Sequence, residues 1–168
     1  MNILRQYYDQ NNKSLDEIFN DTTLLLVFLR HNGCTFCRET LQDLSNIQNE
    51  LNVLQVELVL VHMTTDDSAR GLFSKYGLEN ISRISDPQKN LYNHFKLKKG
   101  SIGQLFGPKV WLRGVSALFK GNFIGKLEGD GFQMPGVFLI KDREIVNSFV
   151  HKTAADKPNY LELAKCEL

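Results

Sequence analysis

The chain has 168 residues, of which 42% are hydrophobic and 23% charged, with a formal net charge of +1. That length suits one domain with room for a real core, and the near-neutral balance argues against nucleic acid or an anionic membrane as the main partner. Residues 1–20 hold no apolar secretion signal, the apolar runs fall short of the roughly 20 residues of a membrane span, and three cysteines are too few, and odd, for a disulfide-stapled secreted fold. We therefore expect a cytoplasmic, reducing setting, in which paired cysteines perform redox or metal chemistry.

In chain order, Ser14-Leu15-Asp16-Glu17 has the order of a capping box ahead of Ile18 and Phe19, and predicts a short helix at about 14–20. Residues 23–30 form an apolar run suited to a strand covered on both faces. Leu41, Leu44, Ile47 and Leu51 recur at helical spacing and predict one helix of about four turns after the cysteines. Residues 56–61 form the next strand. Asp66-Asp67-Ser68 caps a helix running to about Tyr76 and ended by Gly77. Ser85-Asp86-Pro87 opens a short helix carrying Leu91, Tyr92 and Phe95. Strands at 136–140 and 144–149, joined by the turn Lys141-Asp142-Arg143, make a hairpin, and Pro158 begins a closing helix. A parallel β-α-β start, an antiparallel hairpin and a last helix, with Cys-x-x-Cys after an early strand, make the thioredoxin-like α/β plan.

An insert at about 97–133 separates the halves of this single domain, 1–168. In it Trp111, Val115, Leu118 and Phe119 fall on one helical face and Lys109, Arg113, Ser116 and Lys120 on the other, a pattern of core or lid packing or of a partner-facing helix. The glycine-rich stretch 121–131 lacks phosphate-loop and dinucleotide spacing and reads as a permissive loop able to cover the cysteines.

Cys34 and Cys37 stand at i and i+3, on one face of a helix. At a helix N-terminus, free N–H groups and the helix dipole stabilise the Cys34 thiolate, and Arg30, His31 and Arg38 can add positive potential. The second thiol can then resolve a mixed disulfide or a sulfenic acid. The alternatives are two inert buried residues or half of a zinc site. Zinc would need further ligands at matching spacing, and only Cys166 and the scattered His31, His62, His94 and His151 remain, so we assign no metal. Met134-Pro135 precedes a strand; with Cys-x-x-Cys in view we expect a cis-proline packed against the cysteines, with a trans proline that simply starts the strand as the alternative. Glu39 either relays a proton or orients Cys37, or merely complements the helix dipole. His31 either tunes Cys34 or stands by in solvent. His62 and Thr64 end the second strand, where parallel sheets tend to bind ligands. Cys166, close to the last residue, reads as incidental.

Three segments carry a family resemblance: Gly33-Cys34-Thr35-Phe36-Cys37-Arg38-Glu39, residues 121–132, and Pro135-Gly136-Val137-Phe138-Leu139-Ile140. With them, the chain resembles the peroxiredoxin-like, thioredoxin-fold group of the alkyl hydroperoxide reductase/thiol-specific antioxidant superfamily, and is similar to its prostamide/prostaglandin F synthase-type and SelL-like branch. The resemblance implies a thiol-dependent oxidoreductase in disulfide reduction or antioxidant defence, with Cys34 and Cys37 as redox pair and Met134 and Pro135 positioning the substrate. Its first Cys attacks in thioredoxins, whereas peroxiredoxins carry Thr-x-x-Cys and attack with the Cys at the place of Cys37. Asn147 falls near where peroxiredoxins keep an arginine. The resemblance implies a peroxide or disulfide substrate and an external thiol reductant such as a thioredoxin or glutathione system; some relatives are NADPH-linked, but this sequence has no NADP-binding pattern, and we expect no bound cofactor. A non-catalytic binding module of the same fold is the remaining alternative.

Overall fold

In the computed structural model the described residues are 3–108, 110, 112 and 128–165. Their centre is a five-stranded sheet in the order β3-β2-β1-β4-β5. The strands are β1 (Thr23–Phe28), β2 (Val56–His62), β3 (Ser82–Ser85), β4 (Gly136–Lys141) and β5 (Glu144–Val150). β1 pairs parallel with β2, and β2 with β3; β4 runs antiparallel to both β1 and β5.

The apolar runs sit in the middle of this sheet because both of its faces are covered. Period-two alternation sends Leu25, Val27, Leu58, Leu60, Val137 and Leu139 into one core layer. The intervening Leu24, Leu26, Phe28, Val59, Val61, Phe138 and Ile140 enter the other. The first layer is closed by α2 (Thr35–Asn46), α3 (Gln48–Val53), α4 (Asp66–Phe73) and α7 (Tyr160–Ala164), the second by α1 (Leu15–Asp21) and α5 (Asn90–His94). Cys34 and Cys37 belong to the first layer. Strands β3 and β5 are the edges, and the side chains of β5 are mostly exposed.

Local chemistry explains the element ends. Ser14 caps α1 in a complete capping box with Glu17. Thr65, one residue before the expected cap, takes the N–H of Ser68 and puts Asp66 and Asp67 in the first turn of α4, where carboxylates suit the dipole. Gly77 ends this stretch at φ 67, a left-handed position that glycine fills without strain. Asp142 and Arg143, both at positive φ, form the hairpin turn.

The single helix expected over Leu41 to Leu51 is instead two. Ile47 leaves helical geometry at φ −110, ψ 10 between α2 and α3, and the Ser45 hydroxyl donates to Tyr76 O at 2.6 Å beside the break. All four periodic apolar residues still pack on one layer, so the periodicity reports the face and not the continuity.

Tyr92 fixes the end of β1 that leads to the cysteines. It is fully buried, and its hydroxyl donates to Leu29 O at 2.6 Å, with Val61 O at 3.2 Å. The fully buried Asp86 orients its helix, accepting the N–H groups of Asn90 and Leu91 at 3.0 and 2.8 Å. Tyr92→Phe removes the donor and leaves Leu29 O short of a partner, at an expected cost of about 1–3 kcal/mol; urea unfolding of the variant measures it.

The insert begins with α6 (Ile102–Phe106), capped by Ser101 and Gln104. Its two ends are tied together: Gly100 N donates to Phe132 O at 2.7 Å and Met134 N to Lys98 O at 3.2 Å. The Trp111/Val115/Leu118/Phe119 stripe, the first part of the glycine-rich stretch and Cys166 lie outside the described residues.

Candidate functional site

Helix α2 begins at the motif. Cys34 is its N-cap, with extended backbone, and Cys37 closes the first turn. Each cysteine is 5% exposed, and both are free thiols. The Cys37 thiol donates to the Cys34 sulfur, and the backbone N–H groups of Phe36 and Cys37 face it from the helix N-terminus. Together with the positive charge of Arg30, these donors outweigh the cost of burial and hold the Cys34 thiol well below its ordinary range. Cys37 moves the other way: burial first, then its bond to Cys34 and that sulfur's charge, push it well up.

Arg30 binds the site to the chain returning from the insert. It is 7% exposed, and its Nη1 donates to Cys34 Sγ at 3.4 Å. Its Nε donates to Gln133 O at 3.2 Å, and its Nη2 to Gly131 O. The backbone N–H of the same residue donates to Cys37 Sγ at 3.3 Å. One arginine thus touches both sulfurs and two carbonyls that precede Met134.

The three neighbours named from sequence stand differently. His31 contributes its carbonyl, which accepts Cys34 N–H at 3.0 Å. Burial, with the Arg30 charge, lowers its imidazole to about 4, so the ring is neutral near pH 7. Arg38 N–H donates to Cys34 O at 3.2 Å, but its guanidinium makes no hydrogen bond to either sulfur among the described residues. Glu39 is buried and faces Lys157 Nζ at 3.5 Å, and the same lysine reaches Asp43 at 2.6 Å.

Pro135 reaches the pair, but not as a cis-proline: cis peptide bonds are absent among the described residues, so Met134–Pro135 is trans. The chain enters β4 extended, and Pro135 O accepts His151 N–H at 3.4 Å, which suits a trans proline placed just before a strand. Pro135 and Cys37 line a cavity of about 20 Å³, with Thr40, His151 and Tyr160. Met134 is buried in a small cluster with Leu105, Val110, Ala154 and Ala155, against which Phe36 of the motif packs.

Other candidates lie apart or outside. His62 is buried, its Nδ1 3.2 Å from Thr64 Oγ1 and its ring edge-on to Phe73. Asn147 donates to Leu163 O at 3.3 Å. Among the described residues no cluster of three His, Cys, Asp or Glu has metal-binding geometry, and no helix is long and apolar enough to cross a membrane. Sequence reasoning missed Gln133 and His151, and gave Arg30 only a general electrostatic part. A signal for Arg30 was present: an arginine directly after a fully apolar strand and four residues before Cys34. Nothing local marks His151.

Comparison with known proteins agrees with this fold. The chain is 30% identical over 152 residues to human Peroxiredoxin-like 2A, spanning 88% of this chain and 63% of the relative, so it covers less than two thirds of that protein's length. The Xenopus tropicalis Peroxiredoxin-like 2A is 29% identical over 124 residues, 74% of this chain and 53% of its own. Among solved structures, the bacterioferritin comigratory protein of Xanthomonas campestris superposes with a TM-score of 0.62 at 13% identity, covering 89% of this chain and 82% of that one. A thiol:disulfide interchange protein DsbE from Chlorobium tepidum gives 0.56 at 13% identity, over 86% and 78%. At such identities these two establish the peroxiredoxin/thioredoxin fold alone. The family model described as "AhpC/TSA family" matches residues 4–149, most of the chain, and the chain belongs to that family.

Proposed function

We propose that this chain is a thiol–disulfide oxidoreductase, a single domain in which Cys34 attacks and Cys37 resolves. One observation carries the reading. The Cys34 sulfur collects the helix N–H groups, the Cys37 thiol and the Arg30 guanidinium, while burial holds a proton on Cys37. The thiolate is the nucleophile, so the sulfur with the lowered pKa reacts first.

With a disulfide R–S–S–R′, Cys34 forms a Cys34–S–S–R bond and R′S⁻ leaves with the electron pair. Cys37 then attacks Cys34, closing the Cys34–Cys37 disulfide and releasing RS⁻; one dithiol of the thioredoxin type, or two monothiols of the glutathione type, returns two electrons and two protons. With a hydroperoxide, Cys34 takes the distal oxygen as sulfenic acid and an alcohol leaves, after which Cys37 displaces water. Met134 and Pro135 would position the substrate beside the pair. We place this chemistry in a reducing cytoplasm, in disulfide reduction or antioxidant defence.

A second reading is hydroperoxide reduction with Cys37 as attacker; two cysteines each 5% exposed suit a small peroxide better than a protein disulfide, whichever sulfur attacks. Single variants separate the readings. Cys37→Ser, treated with peroxide or a small disulfide, is expected to carry the sulfenic acid or adduct on Cys34 by mass spectrometry, while Cys34→Ser reacts at least tenfold more slowly. Faster reaction of the variant that retains only Cys37 overturns the assignment. Absence of any Cys34–Cys37 cycling in wild type would leave a binding module of the same fold.

A further inference from the structure

The resolving thiol has a chemical problem. Cys37 is buried, its pKa is pushed up, and it must lose its proton as it attacks Cys34. In the reduced protein the acceptor at hand is Cys34 itself, but once Cys34 is bonded to a substrate sulfur or oxygen that acceptor is gone. A second proton acceptor has to lie near Cys37.

A histidine lines the small cavity behind Cys37. The cavity's volume, about 20 Å³, holds about one water molecule. Around it stand Cys37, the paired hydroxyls of Thr40 and Tyr160, 2.9 Å apart, and His151. His151 is 8% exposed, and its Nδ1 is buried without a hydrogen-bond partner. A buried imidazole nitrogen left unpaired is costly, and calls for an explanation such as a bound water or a catalytic role.

We propose that His151 is the proton acceptor for Cys37 in the resolving step, reached through a single water molecule held in this cavity. This deepens the function proposed above and rests on Cys34 being the attacker. In the step, the S–S bond between Cys34 and the substrate breaks and the Cys34–Cys37 bond forms. The substrate sulfur leaves with the electron pair, and the Cys37 proton passes to the imidazole, which later returns it to solvent.

The surroundings of the ring act in both directions, burial most strongly. Asp156 from the following loop and the backbone of Pro135 and Asp156 favour a proton on the imidazole, while burial and Arg30 oppose it. Cys37 and Tyr160 face the cavity from α2 and α7. Burial dominates and sets the ring at about 4, so it is neutral and able to accept at pH 7. The sign follows: the acceptor is available above about pH 4 and is lost as pH falls through that value.

The test uses the full chain with Cys166→Ser as the common background, and 4,4′-dithiodipyridine, which releases one thiopyridone when the mixed disulfide at the pair forms and a second when it is resolved. Wild type should show a second phase nearly flat from about pH 5 to 8. In His151→Asn and His151→Gln the first phase should match wild type. The second phase should be roughly ten- to hundredfold slower at pH 7, and should rise up to tenfold per pH unit because it then waits for Cys37 to ionise unaided. An unchanged second phase in either variant overturns the inference. Loss of the first phase in both assigns His151 a structural role and also overturns it. A fast first release from Cys34→Ser speaks instead against the proposed function, independently of the His151 result.

Discussion

Arg30→Met is expected to raise the pKa of Cys34 by roughly one to two units. The variant keeps an unbranched apolar stem of similar reach and deletes the charge. What disappears is a charge-assisted hydrogen bond to the sulfur from a guanidinium 7% exposed, worth about 1.5–3 kcal/mol, and one pKa unit corresponds to about 1.36 kcal/mol. The thiolate then persists only at higher pH, so the rate of iodoacetamide alkylation near pH 6 falls while its plateau at high pH stays. Arg30→Lys should fall between, because an ammonium keeps the charge but cannot fork to Gln133 O, Gly131 O and Cys34 at once. An alkylation profile that does not move in Arg30→Met would show that the helix N-terminus and Cys37 alone set the reactivity of Cys34.

Phe28→Ala is expected to cost about 3–5 kcal/mol in stability, the range for a buried phenylalanine. The ring is 1% exposed and lies against three others: Tyr92 at 4.9 Å edge-on, Phe95 at 5.0 Å and Phe138 at 5.8 Å. Deleting it opens a cavity where β1, β4 and α5 meet, and surrounding rings close such a cavity only partially. Phe28→Leu should cost clearly less, because much of the volume remains. Urea unfolding with an unchanged slope measures both; a loss under about 1 kcal/mol in Phe28→Ala would mean that the aromatic group collapses into the gap.

The sheet was legible in the sequence because both of its faces are covered. A strand buried twice reads as an apolar run, and the centres of β1 (Leu24 to Phe28), β2 (Leu58 to Val61) and β4 (Val137 to Ile140) all do. The cysteine pair was legible because its spacing and its place after a strand are local. Three things were not. Ile47 kept the helical period while leaving the helix, since periodicity records which face is buried and is blind to a one-residue interruption. The isomer of Met134–Pro135 depends on how the chain meets Lys98 and His151, which lie far off in sequence. The cavity behind Cys37 gathers residues from α2, the start of β4, the loop after β5 and α7, and no spacing rule joins Thr40 to His151. Arg30 lies between these cases. Its position invited attention, but its hold on Gly131 and Gln133 required the chain to return from the insert.

That return is stitched shut. The pairing of Lys99 with Gln133, the flanking bonds at Gly100 and Met134, and the carboxylate of Asp130 held by Lys89 and Lys99 close the neck of the excursion before the chain re-enters the sheet. A loop closed at its neck transmits little of its own length to what lies below. Doubling such a loop costs only about 0.6 kcal/mol of closure entropy. The neck therefore holds Gly131 and Gln133 at a fixed place over the sheet, and with them the two carbonyls that Arg30 grips beside the Cys34 sulfur.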